Sequence, residues 1–142
     1  MPIIWGQHTG YLYIQLRDYK NGDRKNEVMN ALVADMSREE MLKLAEYFSK
    51  KAWPRSEYRT PEAEVPRARR AVAAGQCVEC HLAGFLGHSV IPRLGGQQFE
   101  YLKKTMIDFK TKERANNSAM TDLFRTYSDE DLAVMASYLA GE

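Results

Sequence analysis

The chain is poor in several things at once, and each absence removes a class of function. It has no apolar run near the roughly 20 residues needed to cross a bilayer, and its start, "MPIIWGQHTG", lacks the charged head, apolar middle and cleavage site of a signal peptide. It has no excess of either charge. Lys plus Arg numbers 20 against 19 for Asp plus Glu, so no overall field attracts nucleic acid or an anionic membrane. No segment carries a persuasive strand pattern, which leaves an all-α chain long enough for one ordinary domain or two very small ones. Cysteine is scarcest of all. Cys77 and Cys80 are the only two, and they fall together in "GQCVECHLAG".

What the chain does have is a repeat. Set at an offset of 90, "MPIIWGQHTGYLYIQLRDYKNGDRKN" lies over "IPRLGGQQFEYLKKTMIDFKTKERAN". Pro2, Gly6, Gln7, Tyr11 and Leu12 meet Pro92, Gly96, Gln97, Tyr101 and Leu102. Asp18, Lys20, Arg24 and Asn26 fall on Asp108, Lys110, Arg114 and Asn116. After one inserted residue the offset is 91, pairing Met29 with Met120, Leu32 with Leu123, Ser37 with Ser128, Glu39 with Glu130, Ala45 with Ala136 and Tyr47 with Tyr138. Fifteen identities in about fifty pairs mark a duplicated module.

Each copy reads as helical. Phe99, Leu102, Met106 and Phe109 share one helix face, and "SDED" at 128–131 is a capping-box-like start ahead of Leu132, Met135, Ala136 and Leu139. The first copy has "SREE" at 37–40, followed by Met41, Leu44, Ala45 and Phe48. Between the copies, Pro54, Pro61 and Pro66 stand among charges, so residues 54–66 read as a linker. The division is therefore a partial module 1–53, a linker 54–66 and a complete module 67–142, with a short helix from Arg67 to Gly75. The first copy has no equivalent of residues 67–90, the segment that holds both cysteines.

Three chemistries compete for Cys77, Cys80 and His81. A dithiol couple of the thioredoxin kind needs a strand before the motif, and none is expected. A zinc site needs four ligands; His88 makes up the number, but His81 directly after Cys80 closes a tetrahedron awkwardly. Cys-x-x-Cys-His is the attachment pattern of haem c: two thiols add across the two vinyl groups and the adjacent imidazole faces the iron. A sixth ligand is then needed. Met41, Met106 and Met135 lie on apolar helical stripes and read as core fillers. Met120 stands in the polar stretch "ERANNSAMTDLF", where a loop between helices is expected, and is the candidate axial ligand. His88, seven residues from His81, is its rival, and His8 reads as a surface residue of the first module.

With "CVECH", "IPRLGGQQFEYLKKTMIDFKTKERANNSAM" and "YSDEDLAVMASYLAGE" together, the second module resembles one domain of the diheme cytochromes c of the c4 type. Those proteins hold two class I cytochrome c domains in tandem, each with its own Cys-x-x-Cys-His and distal methionine. The resemblance implies thioethers at Cys77 and Cys80, His81 as proximal and Met120 as distal ligand, and a Pro92 carbonyl that orients His81. It places Arg93, Gln97 and Tyr101 near the haem propionates. It makes Met29 the distal ligand of a first haem, should one be present. Because haem is attached after export, an upstream segment with an export signal and a first motif is the favoured account of the missing portion. The alternatives are a separate chain and a natural monohaem form.

The implied function is periplasmic one-electron transfer, with a terminal oxidase or an upstream dehydrogenase as redox partner and no nucleic acid. Association with a membrane complex is open, and so is docking through Arg67, Arg69 and Arg70, which read more simply as a solvated helix face. The rival readings are a haem subunit of a periplasmic oxidoreductase, of peroxidase or thiosulfate-oxidising type, and a zinc-stabilised interaction module.

Overall fold

The structure is a computed structural model that describes residues 1–142. Eight helices carry it: α1 (Thr9–Asn21), α2 (Glu27–Val33), α3 (Arg38–Ser49), α4 (Val65–Ala74), α5 (Cys77–His81), α6 (Phe99–Thr111), α7 (Ser118–Phe124) and α8 (Asp129–Gly141). The only β interaction is an isolated bridge between His88 and Ile91.

The duplication is visible hydrogen bond by hydrogen bond. Arg24 N–H donates to Asp18 O, and Arg114 N–H to Asp108 O, both at 3.0 Å. Gly6 N–H reaches Phe48 O and Gly96 N–H reaches Leu139 O, both at 2.9 Å. Asn26 caps α2 by accepting from Met29 N–H at 3.0 Å, and Asn117 caps α7 by accepting from Met120 N–H at 3.1 Å. This moves the inserted residue: Asn26 is the counterpart of Asn117, not of Asn116 as the offset of 90 has it.

Helix starts follow local chemistry. Ser37 and Glu40 form a complete capping box, in which Glu40 accepts from Ser37 N–H at 2.7 Å. Asp131 is one methylene shorter, and its carboxylate accepts from the Ser128 hydroxyl at 2.8 Å, and from Arg67 at 2.8 Å, instead of from Ser128 N–H, while Ser128 Oγ accepts from Asp131 N–H. Helix α4 begins at Val65, two residues before the expected start, because Pro66 fits the first turn, where its missing N–H costs nothing.

The two modules are unequal inside. The second has a core of Val72, Leu102, Met106, Phe109, Leu132 and Met135 with their neighbours, where α8 lies between α4 and α6. Each fully buried Leu or Met there stabilises the fold by about 1.5–3 kcal/mol. The first module has α1 against α2 and α3, with no counterpart of α4. Its Leu12 and Leu16 are half-buried where Leu102 and Met106 are buried, and Leu32 is 62% exposed. Residues 54–61 run along the second module: Ser56 Oγ–H donates to Ala140 O at 2.9 Å, Thr60 Oγ1–H to Ser137 O at 2.9 Å, and Tyr58 stacks on Phe99.

Between the modules the contacts are reciprocal. Gln7 donates to Arg93 O at 3.0 Å and accepts from Arg93 N–H at 2.9 Å. Gln97 donates to Ile3 O at 2.9 Å and accepts from Ile3 N–H at 2.7 Å. Arg24 donates to the Tyr101 hydroxyl at 3.1 Å, and Arg114 to the Tyr11 hydroxyl at 3.3 Å. Because 3, 7, 11 and 24 become 93, 97, 101 and 114 at the repeat offset, one module faces the other about a local two-fold axis.

Candidate cofactor site

Helix α4 ends at Gly75 with no room for a side chain: a Cβ there would lie 2.9 Å from the Tyr127 hydroxyl oxygen and 3.3 Å from Cys77 Sγ. Helix α5 is then a single turn bounded by Gln76 and Leu82, both at positive φ (50° and 63°). Non-glycine residues adopt that region at a cost of about 1–3 kcal/mol each, so the turn is set apart from the helix before it and the loop after it. It leaves Cys77 half-buried against the core and Cys80 exposed, both free thiols. Burial pushes the Cys77 thiol up, which keeps it protonated.

His81 is 7% exposed. Burial lowers its pKa below the usual histidine value, outweighing the opposite effect of its hydrogen bond to Pro92, so the imidazole is neutral at pH 7. Nδ1–H donates to the Pro92 carbonyl at 2.9 Å. That bond fixes the ring and its tautomer and leaves the Nε2 lone pair for a metal.

Gly87, which sequence reasoning passed over, holds this arrangement. Its N–H donates to His81 O at 2.7 Å, its φ is +65°, and a Cβ would lie 2.5 Å from Pro92 O and 2.4 Å from Ile91 O. Only glycine lets the two backbone segments approach this closely.

Met120 lies in the first turn of α7 rather than in a loop. Asn117, extended at φ −147°, supplies the cap that the polar stretch disguised. The Met120 side chain is half-buried against the same core cluster that Cys77 borders. Met29 has the same place in α2. The signal was present in the sequence as Asn-x-x-Met, at 26–29 and again at 117–120.

Arg93, Gln97 and Tyr101 are placed at the module boundary. The Arg93 guanidinium lies over Trp53, 4.5 Å from the ring centroid, and donates to Gly95 O at 3.1 Å. Gln97 is 3% exposed and bound to Ile3. Met41, Met106 and Met135 are all buried core residues. His8 is half-buried and donates from Nε2 to Leu86 O at 2.8 Å, joining the two modules. His88 is exposed, and no three of the His, Cys, Asp and Glu side chains gather as a metal site. Nothing completes a zinc tetrahedron.

The donor set fits a covalently held haem: two unpaired thiols on one helical turn and a neutral, oriented imidazole immediately behind them. No family model matches the chain. Cytochrome c4 of Thiocapsa roseopersicina is 31% identical to it, over 99% of this chain and 78% of that protein. The chain belongs to the cytochrome c4 family. A second relative, named thiosulfate dehydrogenase electron acceptor, from Stutzerimonas stutzeri (strain A1501), is 30% identical over 98% of this chain and 69% of that protein. Among solved structures, reduced recombinant cytochrome c4 from Pseudomonas stutzeri superimposes with a TM-score of 0.88 at 25% identity, covering 99% of this chain and 84% of that one. As a cytochrome c4 homologue, the protein is a haem c electron carrier and not an enzyme, with the all-α class I cytochrome c fold.

Proposed function

We propose that the chain is a periplasmic one-electron carrier in which Cys77 and Cys80 hold the haem as thioethers and His81 and Met120 ligate its iron. The observation that carries this reading is the 2.9 Å bond from His81 Nδ1–H to the Pro92 carbonyl. It gives the histidine of the motif the orientation and basicity of an axial ligand. The bound haem supplies a reversible Fe(II)/Fe(III) couple. The chain's own residues supply the rest. Pro92 and Gly87 hold the imidazole, Asn117 fixes the turn that presents Met120, and the core around Leu132 and Met135 excludes water from one side of the site. With His81 and Met120 both holding the iron, no position would be left for a substrate, which would separate a carrier from a peroxidase.

Met29 is the equivalent ligand of a first station, supported by its identical cap on Asn26. The part of Arg93, Gln97 and Tyr101 as propionate contacts rests on the resemblance, since their polar groups already serve the module boundary. A thiosulfate-oxidising or other dehydrogenase as electron donor is supported by the name of the Stutzerimonas relative, with a terminal oxidase as acceptor. No helix is long and apolar enough to cross a membrane.

The test is spectroscopic. Pyridine haemochrome on the purified holoprotein should count covalent haem, and the oxidised protein should show a sulfur-to-iron charge-transfer band that Met120→Ala removes. Survival of the band overturns the ligand assignment, and rapid CO binding by the reduced wild type overturns the closed iron.

A further inference from the structure

We propose that the first module tunes the redox potential of the haem held by the second, with His8 as a positioning residue that acts through the loop behind His81. This rests on the haem reading above and deepens it. The loop, residues 86–93, carries the Pro92 carbonyl that accepts from His81 Nδ1–H at 2.9 Å. It belongs to no helix, and the only hydrogen bonds within it pair His88 with Ile91, at 3.0 and 2.8 Å. What holds it in place comes largely from the other module. His8 Nε2–H donates to Leu86 O at 2.8 Å. Tyr11 N–H donates to Ser89 O at 3.1 Å. Gln7 accepts from Arg93 N–H at 2.9 Å and donates to Arg93 O at 3.0 Å. Pro92 therefore lies between anchors that all belong to the start of α1.

The grip is built into both sides. His8 is the N-cap of α1 but makes no side-chain cap bond. The Tyr11 N–H, which a capping side chain would ordinarily satisfy, goes to Ser89 instead. Ser89 stands at φ +51°, a region that is costly for serine and persists only where the surroundings hold it. Gly10 makes the close approach possible, since a Cβ there would lie 2.9 Å from Ser89 O and 3.2 Å from Val90 Cγ1. The repeat keeps Gln7 and Tyr11 as Gln97 and Tyr101, yet has Gln98 and Glu100 where His8 and Gly10 stand. The copies thus diverge at the two positions that meet the loop.

The consequence is electronic. A carbonyl held firmly against Nδ1–H makes His81 a more basic ligand, and a more basic ligand favours Fe(III) over Fe(II). Loosening the grip should raise the midpoint potential.

The experiment is potentiometry of the holoprotein, with amide hydrogen exchange and the sulfur-to-iron band recorded on each variant. His8→Ala deletes the bond to Leu86, and Gly10→Ala pushes Ser89 away. Both should raise the potential, by up to about a tenfold change in the Fe(III)/Fe(II) ratio, which is about 59 mV for one electron. Both should speed exchange at Gly87 N–H and keep the band. His8→Gln, whose amide can still donate to Leu86 O, should return the potential toward the wild type. Thr9→Ala loses only a 2.8 Å bond to Ser49 inside the first module and should leave it unchanged. Ile3 N–H, held by Gln97, should stay protected throughout, which shows that the modules remain docked. An unaltered potential in His8→Ala or Gly10→Ala, an equal rise in Thr9→Ala, or no recovery in His8→Gln overturns the proposal and leaves the haem reading intact. So does a rise that comes with loss of the band or of protection at Ile3. A protein that yields no haemochrome sinks the haem reading first, and this inference with it.

Discussion

Asn117→Ala tests whether Met120, the proposed iron ligand, is presented by its helix cap. Asn117 Oδ1 accepts from the backbone N–H of Met120 itself, at 3.1 Å, and α7 is only seven residues long. A helix of two turns has little besides its cap and its packed face to hold its first turn. Replacing an asparagine N-cap by alanine costs about 1 kcal/mol, within a range of roughly 0.5–2. If that cost falls on the turn carrying Met120, the methionine-bound state weakens about fivefold, since 1.4 kcal/mol is a factor of ten. Imidazole titrated into the oxidised holoprotein displaces the methionine and abolishes the sulfur-to-iron band. The variant should therefore require about one-fifth as much imidazole, by the same arithmetic. Asn26→Ala removes the same cap from Met29 and serves as the control, because it should leave the imidazole affinity of the haem held by His81 unchanged. An unaltered affinity in Asn117→Ala, together with a lowered Tm, would show that the cap stabilises α7 without presenting the ligand, and so refute the reasoning.

Gly87→Ala forces a Cβ to within 2.5 Å of the Pro92 carbonyl oxygen, so His81 should lose its orienting bond; the expected result is a lower yield of haem-loaded protein, measured by haemochrome per mole of chain. Gln97→Ala removes both bonds to the Ile3 backbone and leaves two backbone groups unpaired at about 1–3 kcal/mol each. Hydrogen exchange should then accelerate at Ile3 and its neighbours, while the core of α8 stays protected and the methionine band persists.

Much of this was legible because duplication supplies an internal control. The match of Ser37 to Ser128 located the starts of helices α3 and α8, and the Cys-x-x-Cys-His run pointed to haem c, the cofactor of the family. What was hidden depended on backbone shape. Met120 looked like a loop residue because Asn116 and Asn117 are both polar, and nothing in the composition says which of them ends the loop. Gly87 looked like any glycine because its role comes from the approach of Ile91 and Pro92, a contact fixed only when the chain folds back. The segment 54–66 looked like a free linker because it has no periodicity, yet Ser56, Tyr58 and Thr60 bind it to α8 through single polar atoms. Gln97 and Tyr101 aligned well, but alignment could not reveal that their partners are Ile3 and Arg24.

The reciprocal reading of Ile3 by Gln97 and of Arg93 by Gln7 has a consequence for how such a chain can arise. A contact in which each side is both reader and read is isologous, the kind a two-fold homodimer makes with itself. Joining two genes for one self-pairing subunit converts that dimer into a single chain without inventing any new interface. The history also leaves a residue in the present molecule. The second module carries Gln97 and the Arg93 backbone together, so, cut free within the 54–66 segment, it retains both halves of the recognition and can pair with another copy of itself.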